Sequence, residues 1–393
     1  MTAKHVSCLA LLIALAWPYA CSPVYRFDEP RPFAGTHILN PYANMAGRWQ
    51  RVNLHAHGIA WGGLTNGKQP SAEVVRTYRA LGYDVAGVSN YHSIATAAGV
   101  DTLPVYEHGY NISKRHQLAI GARRVAWFDI PLWQGLSHQQ FVIDRVKETA
   151  DLVALVHPLT RDAYGRDNLR WLTRYELIEI VNGPFRSEAP WDAALSSGHA
   201  VWALGNDDTH DTDDPRRTAA AWTMVDAPSA TTSAIVSGLR AGRAYTVSRN
   251  GNDPAPMDLT VTSVDVTDDT LRVTSAGPPA TFTFVGQNGV VRSIAKDVTS
   301  ASYALEARDT YIRTIVTAPR TTVYLNPVLR YDGRALSTSG GATVAPGPTW
   351  TLRGTWCGGL VLLSVWLLRR LRTTDHRSPA AVQALPRADR ETA

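Results

Sequence analysis

From residue 51 to about residue 240, short apolar runs alternate with amphipathic stretches. Arg51–His55 predicts a strand, Ser71–Leu81 a helix capped by Ser71 and stopped by Gly82, and Tyr83–Ser89 a buried strand. The pattern resumes with a strand at Gln117–Gly121 and a helix at Ser137–Ala150, where Ser137 and Gln140 are spaced for a capping box. Strands at Leu152–His157, Leu177–Val181 and Val201–Gly205 follow, with helices at Trp191–Ser197 and Ala230–Leu239. This alternation implies a mostly parallel sheet. His55, His92, His157 and Asp208 lie at or just past the ends of successive strands. A closed barrel would gather those ends at one mouth, whereas an open sheet would spread them in a line, so a barrel is expected.

After Tyr245 the texture changes to short, alternating, Thr/Val-rich runs: Met257–Val266, Thr270–Thr274, Ala280–Val285, Ser302–Ala307 and Tyr311–Thr317. Turn sequences separate them, as in a small antiparallel β-sandwich. The predicted organisation is therefore a signal peptide or anchor (1–21), a linker or arm (22–50), a barrel (51–249), a β-sandwich (250–337), a linker (338–347), a transmembrane helix (348–368) and a basic tail (369–393).

Charge and cysteine content bear mainly on the ends. Of the net charge of +5, +3 belongs to residues 369–393, which hold six Arg against Asp375, Asp389 and Glu391. The body is close to neutral, and nucleic acid is not implied. Residues 6–20 form an apolar run of signal-peptide length, open to cleavage, retention or lipidation at Cys21. Gly354–Leu368 is uncharged and abuts Arg369-Arg370-Leu371-Arg372, which predicts a span with a cytoplasmic tail and a catalytic domain outside the cytoplasm. Cys8, Cys21 and Cys357 all fall in these ends, so the body has neither disulfide nor thiolate ligand.

Nine of the twelve histidines lie between residues 55 and 210, and imidazole and carboxylate are the usual ligands of zinc, manganese and iron. In His55-Ala-His57 the i, i+2 spacing lets both rings face one side of a strand. His157-Pro158 closes the apolar run LVAL in the same manner. Asn206-Asp207-Asp208-Thr209-His210-Asp211 packs several charges at the end of a hydrophobic strand, which is costly unless a cation compensates. Glu107, within a Gly/Tyr/Asn-rich loop, and His116 are unremarkable taken singly. Arg161, Tyr164, Tyr91, Tyr110 and Asn182 are candidate substrate contacts, and Asp207 and Asp211 are candidates to orient His210.

The order of these motifs over residues 50–245 resembles the PHP (polymerase and histidinol phosphatase) superfamily of metallohydrolases, and GNDDTHD at 205–211 resembles its exported, carbaryl-hydrolase-like group. The resemblance implies a distorted (β/α)7 barrel whose metal ligands are His55, His57, His92, Glu107, His116, His157, Asp208 and His210. Glu107 would be the bridging carboxylate, and Glu107, Asp208 and His210 the catalytic members. Two departures stand out: Asn90 replaces the usual aspartate, and no acid or histidine follows His57 closely. Two divalent ions (Mn, Zn or Fe) are therefore expected rather than three. The implied activity is hydrolysis of a small-molecule phosphate ester by a metal-bound hydroxide, with carbamate, ester or amide hydrolysis as the alternative on the same site. A barrel that binds metal or ligand without turnover is the non-enzymatic alternative.

Overall fold

The computed structural model describes residues 3–251, 257–334 and 341–375. Residues 23–345 form one compact unit, and the two terminal segments form another. Within the larger unit the expected arm carries two short strands, β1 (Tyr25–Phe27) and β2 (His37–Leu39). The first predicted strand follows as β3 (Trp49–Asn53), then β4 (Val85–Ala86), β5 (Val105–His108), β6 (Gln117–Ile120), β7 (Leu152–Leu155) and β8 (Leu177–Asn182). A two-residue β9 (Phe185–Arg186) precedes β10 (Trp202–Asn206), β11 (Ala221–Asp226) and β12 (Ala244–Arg249). Every residue of β5 to β8, β10 and β12 is buried, which explains their near-continuous apolar character.

These strands do not close into a barrel. One sheet runs β10-β8-β7-β6-β5, with β9 against β8, while β12-β11-β3-β4 belong to a different sheet. Nor is the pairing mostly parallel. β7/β8, β8/β10 and β3/β4 are parallel, but β5/β6, β6/β7, β3/β11 and β11/β12 are antiparallel. The eight residues between β5 and β6 are too few for the crossover that a parallel pair requires.

Where a barrel would continue its ladder, the two sheets are joined just beyond their strand ends. On one side Glu107 N–H donates to Ser89 O at 3.1 Å and His92 N–H to Glu107 O at 2.9 Å. On the other, Asp208 N–H donates to His55 O and His57 N–H to Thr209 O, both at 2.8 Å. Asparagine side chains supply the remaining rungs. Leu54 N–H donates to Asn206 Oδ1 at 2.7 Å, and Asp207 N–H to Asn53 Oδ1 at 3.0 Å. Both seams run through candidate ligands, so the strand ends still converge. Gly205 permits this approach, since a Cβ there would lie 2.5 Å from Thr246 Cγ2.

Beyond residue 257 the chain forms β13 (Thr260–Thr267), β14 (Thr270–Ala276), β15 (Ala280–Gly286), β16 (Val290–Val298), β17 (Ser300–Ala304), β18 (Tyr311–Thr317), β19 (Thr321–Leu325) and β20 (Val328–Tyr331). β13-β14-β17 make a separate three-stranded antiparallel sheet, as a sandwich layer should. The other layer is continuous with the histidine-bearing half: β19 pairs with β12 in register Tyr245↔Leu325 to Arg249↔Thr321, giving β16-β15-β18-β19-β12-β11-β3-β4. β1 pairs with the late strand β21 (Ala342–Val344).

Helices cover the outer faces at Ser71–Ala80, Leu136–Lys147, Glu188–Ser196 and Thr232–Arg240. The capping box expected at Ser137 and Gln140 does not form. The helix starts at Leu136, Gly135 N–H donates to His138 Nδ1 at 3.2 Å, and Ser137 Oγ accepts from Tyr25 N–H at 3.0 Å.

The terminal unit contains helices Ala3–Cys21 and Pro346–Asp375. The expected transmembrane helix is corrected here: among the described residues no helix is long and apolar enough to cross a membrane. The uncharged run of the second helix, Gly354–Leu368, lies between Arg353 and Arg369. At ~1.5 Å per residue it extends ~22 Å, short of a hydrocarbon core of ~30 Å. The inferred topology, with its cytoplasmic tail, rested on that span.

Candidate metal centre

His55 and His57 follow β3 on a stretch pinned by the Thr209 and His55 backbone bonds, so both rings point into the seam. Glu107 lies within β5 opposite Leu118, fully buried, and not in an exposed loop. His116 precedes β6, His157 lies two residues past β7, and Asp208 two residues past β10. The last two adopt left-handed backbone, with φ of +33° and +49°. Such conformations cost of order 1–3 kcal/mol in a non-glycine residue and persist only where the surroundings enforce them. Here His157 N–H is held by Glu179 Oε2 at 2.9 Å, and Asp208 N–H by His55 O.

Glu107 divides its carboxylate between two pairs of imidazoles. Oε1 lies 2.5 Å from His116 Nδ1 and 3.0 Å from His157 Nε2. Oε2 lies 3.1 Å from His57 Nε2 and 3.4 Å from His55 Nε2. Asp208 Oδ1 faces the second pair as well, 3.2 Å from His55 Nε2 and 3.3 Å from His57 Nε2, and is 3.5 Å from His210 Nε2. The ring of His210 stacks on that of His57 at 4.2 Å. Donor atoms within 4.8 Å of one another form four overlapping sets: His55/His57/Glu107, Glu107/His116/His157, His57/Asp208/His210 and His55/His157/Asp208.

These residues fit a metal. His55 Nε2, His57 Nε2 and Glu107 Oε2 are buried and close to one another, yet no hydrogen bond joins them. Converging lone pairs without an aligned proton are costly in a dry site, and a cation relieves the cost. The surrounding carboxylates favour protonation of two imidazoles, those of His55 and His57. Burial disfavours a charged His55, but Asp208, Glu179 and Glu107 outweigh it and hold the imidazole well above its usual range. His57 is raised in the same sense against burial, by Asp208 and Glu107. Burial also opposes ionisation of Glu107, and His116 and His55 overcome it, so the carboxyl is held well below its usual range. Asp208 is likewise lowered, by His55, His57 and His157. Burial and the neighbouring His57 push His210 down to about 4. Metal binding at such a centre displaces protons.

Glu179, which sequence reasoning missed, organises the cluster from behind. Its Oε1 lies 3.0 Å from His55 Nδ1 and accepts from Asn206 Nδ2 at 2.9 Å. Its Oε2 accepts from His157 N–H and from Asn182 Nδ2 at 2.8 Å. A lone glutamate in the apolar strand LIEIVN was the available signal. Tyr91, expected as a substrate contact, packs against the cluster itself. Its ring stacks on His57 at 4.7 Å and meets His116 edge-on at 5.7 Å. Burial, then Glu107 and Asp208, push its phenol up and keep it neutral.

Of the eight expected ligands, the structure brings seven together; His92 lies apart. Its Nδ1 is 3.1 Å from Ala126 O, and its Nε2 accepts from Gly109 N–H at 3.1 Å. Both ring nitrogens are thus engaged by backbone, and the side chain facing the cluster from this loop belongs to Tyr91. Tyr164 is also corrected. It is buried, and its hydroxyl accepts from Gln117, so it presents nothing to a substrate. Asn182 reaches the centre by donating to Glu179 and, at 3.1 Å, to Asp208 Oδ2. Arg161 is exposed and donates to Ile112 O at 3.0 Å. Asp207 does not orient His210. It accepts from Tyr78 Oη at 2.7 Å and from the amides of Ala219, Ala220 and Ala221, each at 2.8 Å. Asp211 instead pairs with Lys68 at 2.7 Å.

No family model and no curated protein matches this chain. Among solved structures, it is similar to a two-domain protein from Bacteroides vulgatus described as containing a predicted PHP-like metal-dependent phosphoesterase. The alignment covers 82% of this chain and 99% of that one, at 12% identity and a TM-score of 0.39.

Proposed function

We propose that the protein is a metal-dependent hydrolase acting on a phosphate ester. The observation that carries this proposal is the division of Glu107 between His55/His57 and His116/His157, the arrangement of a carboxylate shared by two cations. One ion would be held by His55, His57, Asp208 and Glu107 Oε2, and the other by His116, His157 and Glu107 Oε1. Paired divalent ions activate water at neutral pH and neutralise charge on a transferring group. That chemistry needs no protein nucleophile, and residues 22–345 contain no cysteine. His210, partly exposed beside Asp208, is placed to exchange a proton at the open side. Glu179 and Asn182 fix the directions of His55 and Asp208.

The test is a panel of aryl phosphates, phosphodiesters and carbamates offered to the full chain loaded with Mn2+, Zn2+ or Fe2+, with metal content measured in parallel. Phosphate ester turnover with about two ions per chain, both lost in His55→Ala/His210→Ala, is expected. Turnover of carbamates alone would make this a carbonyl hydrolase. Bound metal without any turnover would make it a binding protein, a reading that Tyr91, in place of a sixth imidazole, favours.

A further inference from the structure

Among the described residues of the larger unit, more than half of the exposed large hydrophobic side chains lie on the loops that carry or adjoin the candidate ligands. Trp61 lies four residues past His57 and is 49% exposed; its Nε1–H donates to Tyr91 O at 2.7 Å. Trp127, 60% exposed, meets Trp61 at a ring distance of 5.9 Å and stacks on His92 at 5.6 Å. Tyr110 and Ile112, both exposed, occupy the loop between Glu107 and His116. Leu159 and Phe185, the latter 62% exposed, line a cavity of about 300 Å3 together with His157 and Asn182. That volume is at the small end of ligand pockets, and contiguous exposed apolar surface beside polar groups marks a binding site.

Cations are set among these apolar groups. The Lys114 ammonium lies 5.9 Å from the centre of the Tyr91 ring, and the Arg217 guanidinium lies 5.4 Å from that of Phe185. Arg161 reaches Ile112 O on the same rim. A neutral apolar ligand has no use for these charges, and a small inorganic anion has none for the tryptophans. A ligand with an anionic head and an apolar body uses both.

Resting on the phosphoesterase proposal above, we propose that this collar seats the apolar portion of an amphiphilic phosphate ester, with its phosphoryl head at the histidine–carboxylate centre. Trp61, Trp127 and Phe185 determine specificity by contact with the substrate body, not by chemistry. Bulkier apolar esters are then preferred because more of their surface leaves water on the collar.

The experiment measures binding of methyl-, butyl-, hexyl- and octylphosphonate, non-hydrolysable and short enough to stay monomeric, to the metal-loaded full chain by calorimetry. Affinity is expected to rise about two- to four-fold per added methylene until the collar is covered. In Trp61→Ser/Trp127→Ser/Phe185→Ser the chain-length dependence should flatten, while metal content and methylphosphonate affinity stay unchanged. Affinity independent of chain length in the parent, or the same dependence in the variant, overturns the proposal. So does a parent dimer that these substitutions dissociate without changing the dependence, because the collar would then be a subunit interface. Chain-length dependence without hydrolysis of any phosphate ester refutes the hydrolase and leaves the collar as a binding site. Equal turnover of methyl and octyl phosphate, with no chain-length dependence, refutes the collar and leaves the hydrolase.

Discussion

Glu179 Oε1 sits 3.0 Å from His55 Nδ1, on the side of the ring opposite Glu107 and Asp208. This contact fixes which ring nitrogen carries the proton and turns the Nε2 lone pair inward. Residues that orient a ligand in this way are worth about 10–100-fold in metal affinity. Glu179→Gln should weaken metal binding within that range in a competition titration with a chromophoric chelator. The amide would also present N–H groups to donors on Asn206, Asn182 or His157. An unchanged affinity would show that Glu179 is merely a buried structural carboxylate.

Glu107→Gln removes the charge shared by the two imidazole pairs. Metal content, measured by elemental analysis, should fall from about two ions per chain to one or fewer. Chelation of the parent should lower its melting temperature, because each ion present at 100 times its dissociation constant stabilises the fold by ~2.7 kcal/mol. The variant should respond less to chelation than the parent.

His92 predicts an acid sensitivity that is separate from the metal. Burial, and then the nearby His108, lower its pKa to about 4 from an ordinary 6.5. Its Nε2 accepts from Gly109 N–H, and that bond is lost when the ring is protonated. A depressed folded-state value means that the contribution to stability is complete above pH ~6.5 and is lost as pH falls through about 4. The shift corresponds to up to ~3.5 kcal/mol, at ~1.4 kcal/mol per unit. In urea unfolding of the metal-free chain, His92→Gln should flatten the decline between pH 6.5 and 4. Part of the decline will remain, since His116 and His210 are shifted in the same direction.

Arg313 of β18 donates to both carboxylate oxygens of Asp192, at 2.8 and 2.7 Å, and to Glu188 at 2.8 Å. The two acids lie on the helix Glu188–Ser196 of the histidine-bearing half, and Tyr311 adds a hydrogen bond to Asp192 at 2.9 Å. Arg313→Met strands the buried Asp192 carboxylate and should destabilise the chain by ~3–5 kcal/mol in denaturant unfolding. Asp192→Asn should destabilise it as well. The double variant should cost less than the sum of the two singles, since neither charge is then left alone.

What the sequence discloses and what it conceals follow from where each residue sits. His55, His57, His157 and Asp208 are legible because each interrupts the end of an apolar strand, where a charged or imidazole group stands out. β5 is hidden. Its four residues, Val105-Tyr-Glu-His108, are bounded by Pro104 and Gly109 and have half their positions polar, so they resemble a loop until burial on both faces is known. Glu179 is hidden for the opposite reason, since the strand around it is so apolar that its one acid is easily passed over. Tyr91 and His92 show that spacing alone cannot choose between adjacent residues: with φ of +47° at His92, the tight turn sends the imidazole to Ala126 and leaves the phenol facing the cluster. Closure of the barrel is not readable either, because it turns on whether strand ends pair by ladder or by the side chains of Asn53 and Asn206.

The register of β12 with β19 has a practical bearing on how the molecule can be divided. A chain cut after residue 250 would strip β12 of its partner β19 on one side and leave Tyr245 to Arg249 as a raw strand edge, a template for adhesion between copies. The same cut would also deprive Asp192 of Arg313. The histidine-bearing half therefore carries its neighbour as a seal rather than an appendage, and the two should melt in a single step.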